Sequence, residues 1–204
     1  MIKSITSRFW RLGVLFIALN FNCSDNSNPS GVLPPTEIIP LAVGNTWTHI
    51  GTVYADTIGN VSYIDTVTIQ FTGDTIINKH TWFCEKRMGP YHTNMADGYY
   101  VYDREAMDTI KLYYPYPCKV GDKSFMWEVV NTDTQITVPK GKYSCILYED
   151  KFESENHQYL LQMFVAPGRG WVKSVSYSGF LPPRLLHKQY EYQLLDYQLA
   201  GVWK

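Results

Sequence analysis

From residue 45 onward, apolar and polar positions follow the two-residue period of a strand, and no run of twelve or more residues carries the repeat of an amphipathic helix. The clearest stretch is 61–71, where Val61, Tyr63, Val67, Ile69 and Phe71 alternate with Ser62, Thr66, Thr68 and Gln70. Only Ile64 and Asp65 interrupt it. The same pattern predicts strands over 46–54, 80–88, 98–103, 109–114, 124–131, 134–138, 143–150, 158–165, 171–177 and 185–197. Between them stand turn formers: Gly59-Asn60, Gly73-Asp74, Met88-Gly89-Pro90, Asp97-Gly98, Gly121-Asp122, and the hairpin-like Pro139-Lys140-Gly141 and Pro167-Gly168. Consecutive hairpins make antiparallel neighbours. The expected fold is therefore all-β: a single antiparallel, strongly curved sheet (a half-barrel or barrel), or a β-sandwich, of about eleven strands.

The first forty residues follow a different pattern. Lys3, Arg8 and Arg11 precede an uncharged apolar run, Leu12–Leu19, which is the order of a secretory signal peptide. A run this short does not span a hydrocarbon core, which needs roughly 20 apolar residues. Cys23 follows, and then a polar stretch from Ser24 to Ser30. This arrangement resembles a bacterial lipoprotein precursor, in which the cysteine is acylated and becomes the first mature residue. Asn20 and Asn22 occupy positions that are usually aliphatic and small. Ordinary signal cleavage is served less well, since no Ala-x-Ala lies near the end of the run. The expected division is a signal peptide over 1–22, a lipidated Cys23 with a Pro/Ser/Asn tether over 23–40, and one β domain over 41–204. The resemblance implies a lipid bilayer as partner through acylated (palmitate-type) Cys23, and a place at the bacterial outer membrane. Fully extended, the tether could reach about 55 Å.

Composition narrows the function classes. The chain has 204 residues, 45% hydrophobic and 15% aromatic, with 18 Lys+Arg against 19 Asp+Glu. Without the three cations of the signal segment the mature balance is about −4, so no basic surface is available to displace counterions from a phosphate backbone, and a nucleic-acid partner is not expected. With Cys23 assigned to lipid, Cys84, Cys118 and Cys145 remain, an odd number in an exported chain. Cys84 and Cys145 sit in strand-like runs and read as small buried side chains, whereas Cys118 sits in a loop. One disulfide among the three is open, with no pair selected.

Three segments together resemble a family of uncharacterised bacterial lipoproteins. Pro40-Leu41-Ala42-Val43-Gly44-Asn45-Thr46-Trp47 is similar to its opening P-L-x-x-G-x-x-W. Val138-Pro139-Lys140-Gly141-Lys142-Tyr143 is similar to its V-P-x-G-x-[FY] hairpin, and Ala166-Pro167-Gly168-Arg169-Gly170-Trp171-Val172-Lys173 to its A-P-G-x-G-x-V-K segment. The resemblance implies one all-β lipoprotein domain and carries no activity with it. Its motifs are turn residues with flanking aromatics, which hairpin geometry alone would require.

Chemistry-bearing motifs are sparse. His49, His80, His92, His157 and His187 form none of the close pairs that place two imidazoles on one ion, so no metal or other cofactor is expected. No G-x-S-x-G, Walker or dinucleotide loop occurs, and Gly168-Arg169-Gly170 reads as a hairpin tip. Asp103 and Glu105 read as a solvated pair at a strand end. The most suggestive cluster is aromatic, with Tyr91, Tyr99, Tyr100, Tyr102, Tyr113, Tyr114 and Tyr116 near Trp82. Adjacent residues of a strand face opposite ways, so some of these rings pack and others are open to a ligand. Tyr99, Tyr100, Tyr102 and Tyr114 are the candidate ligand-binding residues. The expected function is non-enzymatic: a binding or scaffolding β domain for an apolar or glycan ligand or an envelope protein. The alternative is a hydrolase with carboxylates or His converging in a cleft. An apolar cavity of a few hundred Å³ would favour ligand binding.

Overall fold

The computed structural model describes residues 35–56, 58–86, 89–103, 109–154, 157–180 and 186–200. The expected signal peptide, Cys23 and Glu105 lie outside the described residues, as does most of the expected tether. Eleven strands form one antiparallel sheet: β1 (Thr46–Tyr54), β2 (Val61–Ile77), β3 (His80–Glu85), β4 (Tyr91–Met95), β5 (Gly98–Asp103), β6 (Thr109–Pro115), β7 (Glu128–Val138), β8 (Gly141–Glu153), β9 (His157–Ala166), β10 (Gly170–Phe180) and β11 (His187–Gln198). Their order is β6-β5-β4-β3-β2-β1-β11-β10-β9-β8-β7, so the chain makes two meanders joined where β1 pairs with β11. The sheet does not close, because β6 and β7 are its two edges.

Strand number matches expectation, but two assignments differ. The expected strands 124–131 and 134–138 are one strand, β7, whose polar middle is absorbed by register shifts between Val129 and Asn131 and between Asn131 and Thr134. The alternation pattern passed over β4, because Tyr-His-Thr-Asn-Met carries polar residues on both faces and His92 and Thr93 are both buried. Further bulges at Thr48/His49, Phe71/Gly73, Tyr99/Tyr100 and Trp171/Lys173 add local twist and bend.

Curvature brings the two halves of the sheet face to face. Tyr99 of β5 meets Trp171 of β10 edge-on at 5.9 Å, and Tyr114 of β6 meets Tyr148 of β8 at 4.8 Å. The Tyr148 hydroxyl donates to the Pro115 carbonyl across the same gap (2.9 Å). The 116–127 loop bridges the edges: Phe125 N–H donates to Leu112 O, and Trp127 packs on Tyr114. The core is thus a layer between two halves of one sheet.

Residues 35–40 were expected to belong to the tether, but they join this core. Ile38 and Ile39 are fully buried, Gly168 N–H donates to carbonyls of Glu37 and Ile38, and Asn94 Nδ2 donates to Ile39 O. The segment crosses from the β9–β10 turn to the β4–β5 hairpin. An Ile-Ile pair between prolines is short enough to read as linker, yet it covers apolar surface that neither half covers alone.

The family-like motifs have a common structural explanation. Trp47 from the first is fully buried, and its Nε1–H donates to Arg169 O in the third (2.6 Å). Gly168 at φ +71° follows Pro167 as a type II turn demands, and Arg169 N–H closes the turn on Ala166 O. A Cβ on Gly170 would lie 2.9 Å from the Trp47 indole. Two motifs about 120 residues apart thus form one contact.

Candidate functional site: an aromatic cavity inside the curved sheet

A cavity of about 510 Å³ lies between the two halves. Its wall is mostly apolar: Val67 and Ile69 from β2, Val101 from β5, Tyr113 and Tyr114 from β6, Met163 from β9, and Trp171 from β10, with Trp127 from the bridging loop. Tyr99 and Tyr192 add two more rings, and two histidines, one carboxylate and one lysine also line it: His49, His92, Glu85 and Lys173.

Strand register builds one wall as a ladder of rings. In the β4–β5 hairpin His92 pairs with Val101, which places Tyr99 diagonally across on the same face. His92 and Tyr99 stack at 5.6 Å and 25°, Tyr99 and Tyr114 stack at 5.7 Å and 24°, and Trp127 continues the row 5.6 Å beyond Tyr114. The Tyr99 hydroxyl lies 2.5 Å from His92 Nδ1. Behind the rings, Trp47 and Phe71 close the floor with edge-on contacts to Trp171 and His92.

Burial controls the chemistry of these groups. It lowers His92 to about 4 and pushes the Tyr99 and Tyr114 hydroxyls well above the ordinary phenol range. His49 is also lowered by burial, against a smaller opposing effect of its contact with Trp171 O (Nε2 to O, 3.1 Å). Near neutrality both imidazoles are therefore uncharged. The Glu85 carboxylate approaches His92 Nε2 at 3.6 Å, beyond hydrogen-bond distance. Lys173 is committed elsewhere: its ammonium contacts the buried Glu191 carboxylate, which also accepts from Lys188 (3.0 Å) and the Tyr54 hydroxyl (3.1 Å).

The structure divides the four candidate tyrosines. Tyr99 and Tyr114 line the cavity, 1% and 3% exposed. Tyr100 and Tyr102 fall on the other face of β5, where Tyr100 donates to Asp97 (2.8 Å) and Tyr102 stacks on its cross-strand partner Tyr91 and borders Trp82. Trp82 is buried on that face, apart from Trp47, Trp127 and Trp171. Sequence reading did not single out His49, Glu85 or His92 as cavity residues, since polar positions in an alternating strand read as outward. The one available signal was Asp97-Gly98: had 91–95 been read as a strand, a tight turn there would have placed His92 beside Tyr99.

Among the described residues no group of three His, Cys, Asp or Glu side chains could hold a metal ion. Cys84, Cys118 and Cys145 are all free thiols, so the open disulfide is not formed among them. A second, smaller cleft of about 240 Å³ borders Trp127 from the side of Lys123, Glu149 and Lys151.

No protein-family model matches the chain, and no curated protein matches it in sequence. Solved structures do resemble it. A candidate exported protein with a YmcC-like fold from Bacteroides fragilis superposes with a TM-score of 0.51 at 13% identity, over 82% of this chain and 100% of that one. A candidate lipoprotein from Parabacteroides distasonis superposes with a TM-score of 0.52 at 12% identity, over 81% and 100%. At these identities the likeness is one of overall fold.

Proposed function

We propose that this chain is an envelope lipoprotein, anchored to the outer membrane through acylated Cys23, whose β domain binds a small apolar molecule without transforming it. The observation that carries the reading is the cavity itself. About 510 Å³ lined by carbon-rich side chains lies within the usual range of small-molecule sites. The order of basic, apolar and Cys-containing segments at the N-terminus supports export and anchoring, and the exported protein and lipoprotein with the same fold are consistent with it.

The convergence of Glu85, His92 and Tyr99 invites a catalytic reading, since a carboxylate, an imidazole and a hydroxyl stand in a row. Their chemistry argues against it. An imidazole lowered to about 4 is a weak base near neutral pH, and the phenol it touches is held in its protonated form by burial. The 3.6 Å separation leaves the carboxylate without the hydrogen bond that would orient and charge the ring.

Methyl-labelled methionine provides a local test, because Met163 lines the cavity and Met95 does not. Titration of the purified chain with methylcyclohexane should shift the Met163 methyl resonance saturably and leave Met95 in place. A Met163 signal that never moves, or moves only in proportion with every other methionine, refutes binding in the cavity. Mass spectrometry of the mature N-terminus tests the anchor, and a free thiol on Cys23 refutes it.

A further inference from the structure

Two ring nitrogens on cavity-lining residues are buried and make no hydrogen bond within the protein: Nε1 of Trp127 and Nε2 of His92. Each belongs to a side chain in the stacked row, one at either end. An indole Nε1–H can only donate. The polarity of the imidazole follows from its neighbours. The Glu85 carboxylate, 3.6 Å from Nε2, favours the tautomer with its proton there, and the Tyr99 hydroxyl then donates to Nδ1. Both idle atoms are therefore donors. An unpaired buried donor costs about 1–3 kcal/mol, which an acceptor placed against it would recover.

The cavity sets the charge of its occupant as well. Lys173 is the only cationic residue among the described lining residues, and its ammonium is already held by Glu191. An anion would enter an apolar space with no counter-charge to meet it. A cation would shed its water against walls made mostly of carbon, where the one carboxylate among the described lining residues, Glu85, already faces His92.

We infer that the ligand is an uncharged, largely apolar molecule carrying an ester or ketone oxygen, which accepts from Trp127 Nε1–H; His92, three rings away along the row, faces Glu85 and does not share that oxygen. This rests on the binding reading above and adds the chemistry of the ligand's polar group. Trp127 Nε1 lies under the cavity surface, so contact takes a small turn of the indole as the ligand seats.

A matched series separates this inference from the reading beneath it. Dissociation constants are measured from the Met163 methyl shift for methyl cyclohexanecarboxylate, methylcyclohexane, cyclohexanecarboxylate and cyclohexylammonium, on the full chain and on Trp127→Phe. The ester should bind tightest of the four. Trp127→Phe should weaken the ester by about three- to tenfold, the worth of one hydrogen bond, and change the hydrocarbon by less than about twofold. If the variant weakens ester and hydrocarbon alike, or neither, Trp127 acts by shape and the inference falls. It falls too if the carboxylate or the ammonium binds tighter than the ester. If the hydrocarbon binds but the ester gains nothing, cavity binding survives and the acceptor does not; if no probe shifts Met163, both are refuted.

Discussion

Removing the His92–Tyr99 hydrogen bond from either side should destabilise the fold, while removing it from both sides at once should not. In Tyr99→Phe, His92 Nδ1 loses the hydroxyl 2.5 Å away; in His92→Phe, the Tyr99 hydroxyl loses its partner. Each single variant leaves one buried polar group unpaired, at a cost of about 1–3 kcal/mol. The double variant keeps two six-membered rings in a stack now 5.6 Å apart and leaves neither partner of this bond behind, so it should lie within about 1 kcal/mol of the native protein. The pair also sets an acid dependence. His92 titrates near 6.5 in the unfolded chain and near 4 when folded, because burial disfavours its charged form. Between those values the unfolded state holds the extra proton, so stability falls as pH falls from about 6.5 to about 4. At about 1.36 kcal/mol per pH unit, the loss approaches roughly 3 kcal/mol.

Urea unfolding followed by tryptophan fluorescence at pH 7.5, 6 and 5 measures both effects, with a constant m-value as the check that the denatured state is unchanged. His49, also lowered by burial, contributes a slope of the same sign, so the double variant should flatten the pH dependence without abolishing it. The reasoning is refuted if the double variant costs the sum of the singles, or if it loses as much stability between pH 7.5 and 5 as the native protein does.

Further expectations rest on other parts of the fold. Gly98 pairs with Pro115 at φ +147°, and a Cβ there would stand 2.2 Å from Tyr114 O and 2.9 Å from Pro115 Cα, so Gly98→Ala should cost about 2–4 kcal/mol; an unchanged thermal midpoint would contradict it. Burial works to raise the pKa of Glu191, but bonds from Lys173 and Lys188 outweigh it and leave the carboxylate below its usual range. Its stabilisation is present above about pH 4.5 and lost as pH falls through the lower folded value; Glu191→Gln should remove that loss and cost about 2 kcal/mol at pH 7, as read by chemical denaturation. Burial pushes the Cys145 thiol up to about 12, so peptide mapping after alkylation at pH 8 should find it unmodified in the native protein and modified after unfolding.

Much of the architecture follows from local pattern. Period-two alternation and Gly/Pro turns are backbone properties, and they place most strands within a few residues. Where they miss, side-chain burial has overridden pattern. His92 and Thr93 are adjacent and both buried, which no alternating template allows, and Ile38-Ile39 is too short to register as an element although it sits in the core. The polar run inside β7 looks like a break because a bulge holds the extra residues without ending the strand.

The cavity was legible only in part, for a reason that lies in register. Tyr99 and Tyr100 are equivalent by composition, propensity and neighbourhood, yet one lines the interior and the other bonds Asp97 outside. What separates them is the pairing of Gly98 with Met95 and of His92 with Val101, a relation between strands. The same holds at longer range. Trp127 joins the ring ladder because the 116–127 loop carries it back over Tyr114, and Trp171 faces Tyr99 because two halves of one sheet curl together. That these aromatics meet around one cavity depends further on how far the sheet bends. That bend is set by bulges at Phe71/Gly73, Tyr99/Tyr100 and Trp171/Lys173, the last two adjoining residues of the cavity wall. A bulge that re-aims a side chain and bends a strand can therefore shape the cavity and the sheet in one step.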